Sequence, residues 1–139
     1  MERVFTTSSS TQTKKFAEKF ASRVKNHEKS LVIGLQGDLG SGKTTFVQGF
    51  AKGFGVKEKV LSPTFVIMKK YGTLYHIDCY RLENSKELLE LGWDKIMSDP
   101  QNIILIEWPE RVKDILPAEV IMVRFKTISQ NKREIHVTM

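Results

Sequence analysis

The stretch that most constrains this chain is Gly37-Asp38-Leu39-Gly40-Ser41-Gly42-Lys43-Thr44, which fits the pattern G-x-x-x-x-G-K-[ST]. In such a loop successive backbone N–H groups wrap a nucleotide's phosphates, the lysine reaches the β and γ groups, and the hydroxyl ligates Mg²⁺. Context separates this from a plain glycine turn. Upstream, Leu31-Val32-Ile33-Gly34-Leu35 is a short apolar run of buried-strand type; downstream, Phe46, Val47, Phe50, Ala51 and Phe54 recur at helical spacing. Strand, loop, helix is the order a phosphate-binding loop requires.

The 139 residues suit one domain spanning 1–139. At 40% hydrophobic and 27% charged, the composition is that of a globular protein. No apolar run approaches the about 20 residues that cross a bilayer, and Met1-Glu2-Arg3-Val4-Phe5 lacks an apolar signal core. One cysteine, Cys79, excludes an internal disulfide framework and a multi-cysteine metal site, so a cytoplasmic location is expected. A net charge of +6 could attract nucleic acid, but the lysines (Lys14, Lys25, Lys52, Lys69, Lys86 and Lys132 among them) are spread along the chain rather than clustered. Direct nucleic-acid contact is therefore a secondary expectation.

Periodicity predicts a first helix over about Gln12 to Lys25, capped from the polar run Thr6 to Thr11, with Phe16, Ala17, Phe20, Ala21 and Val24 on one face. Gly53 to Val56 ends the helix after the glycine loop. Phe65 to Met68 and Leu74 to Asp78 read as strands of a hairpin around Lys69 to Thr73. Asn84 and Glu87 mark a helix start that Gly92 closes, with another short turn over Trp93 to Met97. Ile103 to Ile106 is the second fully apolar run, and Val112 to Leu116 is at most a short helix. Val120 to Phe125 and Glu134 to Met139 read as two strands joined by Ser129 to Lys132. The fold class expected is α/β: a P-loop nucleotidase with a mixed sheet, parallel at its core with antiparallel additions, flanked by helices.

Hydrolysis also needs a held metal and an oriented nucleophile. Thr44 offers one metal contact, and Glu107, the acid that ends Ile103-Ile104-Leu105-Ile106, is placed to offer the second. Period two puts His76, Asp78 and Tyr80 on one face if their strand continues that far. Asp78 could then orient water and Arg81 could neutralise phosphate charge; the plainer reading pairs Arg81 with Asp78 at a sheet edge. Ser62-Pro63-Thr64 sits where a switch segment or an ordinary capped turn would lie. Trp108 could flank a nucleotide or pack a strand end, and Glu110 is an accessory acid or a surface charge. Cys79 and Trp93 read as structural.

Together, Gly37 to Phe46, Ser62-Pro63-Thr64-Phe65, His76-Ile77-Asp78-Cys79-Tyr80-Arg81-Leu82 and Ile106-Glu107-Trp108-Pro109-Glu110 resemble, in order and spacing, the TsaE (YjeE) proteins, over nearly the whole chain. The resemblance implies an ATPase that acts with the TsaB and TsaD proteins in making threonylcarbamoyladenosine in tRNA, without itself transferring the threonylcarbamoyl group. It implies ATP and Mg²⁺ as cofactors. Thr13 is implied beside the base, with Asp38, Leu39, Gly40, Ser41, Gly42, Lys43, Thr44 and Thr45 around the nucleotide. Thr44 and Glu107 are implied as metal ligands, and Lys43, Asp78 and Glu107 as the residues of turnover.

Two other classes fit the loop alone. A small-molecule phosphotransferase would use Asp78 as base, but the chain has no evident lid or acceptor domain. A guanine-specific switch would carry N-K-x-D, whereas Asn131-Lys132-Arg133-Glu134 has the wrong acid and falls in an expected hairpin turn.

Overall fold

Apolar runs without a polar face must be covered on both sides, which a parallel pair between helical layers achieves. A computed structural model, describing residues 1–38, 40–60 and 67–139, pairs the two runs as strands β2 (Leu31–Gln36) and β5 (Ile103–Glu107), parallel, with Ile33 opposite Leu105. Around them lie β1 (Glu2–Thr7), helix α1 (Ser10–Val24), α2 (Lys43–Gly53), β3 (Met68–Tyr71), β4 (Leu74–Asp78), α3 (Lys86–Glu90) and α4 (Trp93–Ser98). A 3₁₀ segment (Pro109–Ile115), β6 (Ile121–Thr127) and β7 (Arg133–Thr138) complete the described elements. The sheet has the order β1-β7-β6-β2-β5-β4-β3, parallel through β6, β2, β5 and β4 and antiparallel at both margins. This is the mixed α/β sheet expected.

Alternation along the central strands divides the core. Ile33, Leu35, Ile103 and Leu105 pack with α1 and α2, while Val32, Ile104 and Ile106 pack with Leu88, Trp93 and Ile96 of the opposite layer. The two helices of the first layer touch backbone to backbone. A Cβ on Gly49 would stand 2.4 Å from the Lys14 carbonyl oxygen, and one on Gly53 2.5 Å from that of Glu18. Phe46 and Phe50, both fully buried, fill the space beside this contact.

Three local expectations change. β1 was not anticipated: the run Thr6 to Thr11 divides between a strand end and the cap of α1, where Ser9 Oγ accepts from Gln12 N at 3.1 Å. The hairpin turns more tightly, at Gly72 and Thr73, and Lys69, Lys70 and Tyr71 belong to β3. Lysines suit that strand because it lies at the sheet margin, where charge blocks further pairing. Its expected beginning, Phe65 and Val66, lies outside the described residues. Finally, β4 is parallel to β5, so β3 alone forms the antiparallel addition on that side. Among the described residues no helix is long and apolar enough to cross a membrane.

Candidate functional site

The parallel register brings the chemistry together. Leu35 of β2 and Asp78 of β4 both lie opposite Glu107 of β5, so the glycine loop and both acids emerge at one level, at the carboxyl ends of adjacent strands. That is where open α/β sheets bind ligands. A cavity of about 350 Å³ opens there.

The loop enters α2 through Gly42, whose φ of 107° and ψ of 8° suit a residue without Cβ. Lys43, buried at 5% exposure, folds back so that Nζ donates to the Gly37 carbonyl at 2.7 Å and stands 4.1 Å from the centre of the Trp108 ring. Burial pushes the lysine's pKa down, and Glu107, Asp78, Glu110 and Asp38 oppose that push. A distant residue holds the loop's shape. Arg133 at the start of β7 donates from Nε to the Ser41 carbonyl (3.1 Å) and from Nη2 to the Gly40 carbonyl (3.2 Å). Its Nη1 binds the carbonyls of Ser129, Gln130 and Lys132, so one guanidinium joins the loop to the β6–β7 turn.

Glu107 is almost wholly buried, and its Oε2 accepts from His76 Nε2 at 2.7 Å. His76 is 1% exposed and its Nδ1 has no partner among the described residues. A proton on Nδ1 would be a buried donor without an acceptor, so the ring donates through Nε2 with Nδ1 bare. This histidine therefore fixes one oxygen of the carboxylate and leaves the other for a ligand. Asp78 is half-buried, with Oδ1 accepting from Tyr80 N at 2.9 Å. Burial raises its pKa; the Tyr80 N–H lowers it, and the charge of Glu107 raises it again.

The expected His76-Asp78-Tyr80 face ends early. β4 stops at Asp78, whose side chain turns the chain through the Tyr80 amide, leaving Tyr80 exposed with its ring 5.1 Å from that of Trp108. Arg81 is exposed, and among the described residues no ion pair joins it to Asp78. Trp108 adopts the left-handed conformation (φ 59°), unusual for a bulky residue. Its ring lies between Lys43 and Tyr80 at the cavity mouth. Cys79 is buried and its thiol is pushed up to about 12, first by burial and then by the surrounding acids, which makes it a poor nucleophile. Glu110 is exposed and accepts from Gln36 Nε2 at 3.4 Å, away from the cavity lining.

Thr13, Gly40, Gly42, Lys43, Thr44, Thr45, Asp78 and Glu107 all line this cavity. The Thr13 hydroxyl is already shared with Thr7 Oγ1 (2.7 Å) and the Ser9 carbonyl (3.3 Å), so it contributes a wall and a fixed helix start. Ser41 lies just beneath, its Oγ buried and without a partner among the described residues. The Asp38 side is exposed, and the Asp38 carbonyl accepts from Ser41 N at 3.1 Å. Leu39 and the Ser62-Pro63-Thr64-Phe65 motif lie outside the described residues. Sequence reasoning missed Ser9, Ser10, Gln130 and Arg133 at this cavity. Asn131, set aside as part of a hairpin turn, does sit in that turn but also lines the cavity.

A buried lysine, an amide-rich loop opening a helix, a threonine hydroxyl and two carboxylates suit a polyphosphate with a divalent cation. Among the described residues no cluster of three or more metal-ligating side chains exists. The oxygen donors at hand, the Thr44 hydroxyl and the Glu107 carboxylate, are of the kind that hold Mg²⁺, which takes one or two protein oxygens and completes its shell with phosphate and water.

Known proteins resemble this chain in sequence and in fold. The family model described as Threonylcarbamoyl adenosine biosynthesis protein TsaE matches residues 7–135. The tRNA threonylcarbamoyladenosine biosynthesis protein TsaE of Bacillus subtilis (strain 168) is 42% identical over 111 residues, covering 77% of this chain and 68% of that protein. The protein of the same name from Rickettsia prowazekii (strain Madrid E) is 38% identical over 133 residues, 92% of this chain and 89% of its own. Among solved structures, the crystal structure of Bacillus subtilis YdiB matches with a TM-score of 0.81 at 33% identity, over 99% of this chain and 84% of that one.

Proposed function

The chain belongs to the TsaE family, and from that premise we propose that it is a Mg²⁺-dependent ATPase of the cytoplasm that serves threonylcarbamoyladenosine modification of tRNA together with the TsaB and TsaD proteins. The observation that carries the reading is the meeting, at one cavity, of the loop lysine with Asp78 and the histidine-held Glu107. Thr44 and Glu107 would hold Mg²⁺, which when bound neutralises charge on the β and γ phosphates.

The protein's own groups do the rest. Lys43 leaves the Gly37 carbonyl and the face of Trp108 to reach the phosphates, exchanging two neutral partners for charged oxygens. The loop amides stay aimed because Arg133 holds the Gly40 and Ser41 carbonyls from behind. Asp78, kept in place by the Tyr80 amide, orients the attacking water and takes its proton as the bond to the leaving ADP oxygen breaks. Its raised pKa makes it a better proton acceptor than a solvated aspartate. His76 stops Glu107 from rotating toward other donors. Ser10, Thr13 and Asn131 line the cavity and would flank the adenine end.

The test is phosphate release from ATP with Mg²⁺, measured for the chain alone and with TsaB and TsaD. Slow release that accelerates in the assembled complex is expected. Unchanged turnover in a verified complex would overturn the partner assignment, and transfer of phosphate to an acceptor as a new ester would replace hydrolysis by a kinase reading.

A further inference from the structure

A second cavity, of about 540 Å³, lies between α1 and the outer strands, sharing no residue with the nucleotide cavity. Phe5, Phe16, Phe20 and Val137 make its walls, with the Phe5 and Phe16 rings 4.8 Å apart. Its rim carries Arg3, Lys19 and Arg23, and no acidic side chain lines it among the described residues. The acid of β1 is turned away and occupied: Glu2 Oε2 accepts from Arg124 at 2.6 Å, and Glu2 Oε1 lies 3.2 Å from His136 Nδ1. Beside the cavity, β1 is the last strand of the sheet, paired with β7 alone, so among the described residues its other backbone edge has no partner.

An open row of backbone groups beside an apolar hole is the arrangement that accepts an extended peptide by strand addition. The charges say what kind. Residues two apart on a strand are about 6.7 Å apart on one face, and Lys19 and Arg23, four apart on α1, are separated by about 6 Å of helix rise. Carboxylates two positions apart on an added strand therefore match the spacing of this basic row, while an apolar side chain two positions further on, on the same face, reaches the cavity. We propose that this edge is a docking surface for an extended acidic segment of another protein, which pairs with β1, lays carboxylates over Arg3, Lys19 and Arg23, and inserts an apolar side chain against Phe5 and Phe16. A fatty acid would fill the cavity yet leave the strand edge unpaired, and a nucleic acid would use the cations yet leave the cavity empty. The inference does not depend on the ATPase reading.

The experiment titrates the isotope-labelled full chain with a blocked peptide of sequence Glu-Thr-Glu-Thr-Leu-Thr, whose two glutamates and leucine share one face of a strand, follows backbone amides by NMR, and measures their hydrogen exchange. Expected are saturable shifts confined to β1, β7 and α1, slowed exchange of β1 amides, and binding about tenfold weaker for the same peptide with lysine in place of glutamate and for the Lys19→Glu, Arg23→Glu double variant. Both substituted residues are exposed, and an unfolding temperature close to the parent's checks that the variant folds. Absence of saturable shifts, or shifts centred on the glycine loop, would overturn the proposal. So would decanoate or polyuridylate moving the same amides while the acidic peptide does not.

Discussion

Replacing His76 tests whether a residue that need not touch nucleotide sets the metal site. His76 Nε2 and Glu107 Oε2 are 2.7 Å apart, with the two side chains 1% and 5% exposed, so water cannot substitute for a lost donor. A hydrogen bond to a charged group contributes about 1.5–3 kcal/mol net. Removing a partner that orients a metal ligand typically weakens metal binding about 10–100-fold, or about 1.4–2.7 kcal/mol. The two estimates agree, which is expected if the histidine acts only through the carboxylate. His76→Leu also removes an unpartnered Nδ1, so some of the stability loss is offset. The assay is calorimetric ATP binding with Mg²⁺ and with chelator. Affinity without metal should be unchanged, and the gain that Mg²⁺ brings should shrink by about 10–100-fold. His76→Gln, whose amide N–H can occupy the Nε2 position, should recover most of it. If the folded leucine variant gains as much from Mg²⁺ as the parent does, Glu107 either does not hold the metal or does not need His76 to do so.

Other perturbations read other parts of the site and the fold. Asp78→Asn should preserve ATP·Mg²⁺ affinity and lower turnover by at least about 100-fold, whereas Lys43→Ala should lose affinity itself; normal hydrolysis by the asparagine variant would remove Asp78 from the mechanism. Arg133→Lys keeps the charge but not the fork that reaches Gly40, Ser41 and the β6–β7 turn together, so nucleotide affinity should fall about tenfold with little change in unfolding temperature. Gly49→Ala gains about 1 kcal/mol of helix propensity but drives Cβ against the Lys14 backbone, where overpacking costs about 1–3 kcal/mol. Urea unfolding should show a net loss, and a net gain would mean that α1 and α2 can separate freely. His136, hydrogen-bonded to Glu2 and Glu134, has its pKa raised, so its contribution is full below the unfolded value of about 6.5 and is lost as pH rises through the higher folded value. Protection of β1 amides, taken from the exchange rate relative to that of an unstructured chain at the same pH, should therefore fall as pH rises above neutral, and His136→Gln should flatten that fall.

What could be read from the chain in advance was local. Gly37 to Thr44, the apolar runs of β2 and β5 and the periodic face of α1 each carry their signal within one element, and each was legible there. What was hidden depends on residues brought together by pairing. Strand β1 has a half-exposed Val4 and a mostly polar sequence, and it forms because Phe5 falls opposite Ile135 across nearly the length of the chain. Arg133 lies 93 positions from the Gly40 carbonyl that it binds, at the start of a strand that by itself looks ordinary. The same dependence on pairing changes the meaning of Glu107. Read alone, it is an acid at the end of a strand; with β5 between β2 and β4, its position faces the mouth of the glycine loop on one side and Asp78 on the other. Strand order thereby places the candidate metal ligand, and the same order sets β4 alongside it so that His76, one turn of the pleat before Asp78, can reach Oε2. A histidine at the other phase of β4 would join Tyr75 and Ile77 on the face packed against Leu88 and Trp93, away from Glu107, so the period-two spacing of His76 and Asp78, legible from the start, acquires its chemical reason only from the neighbouring strand.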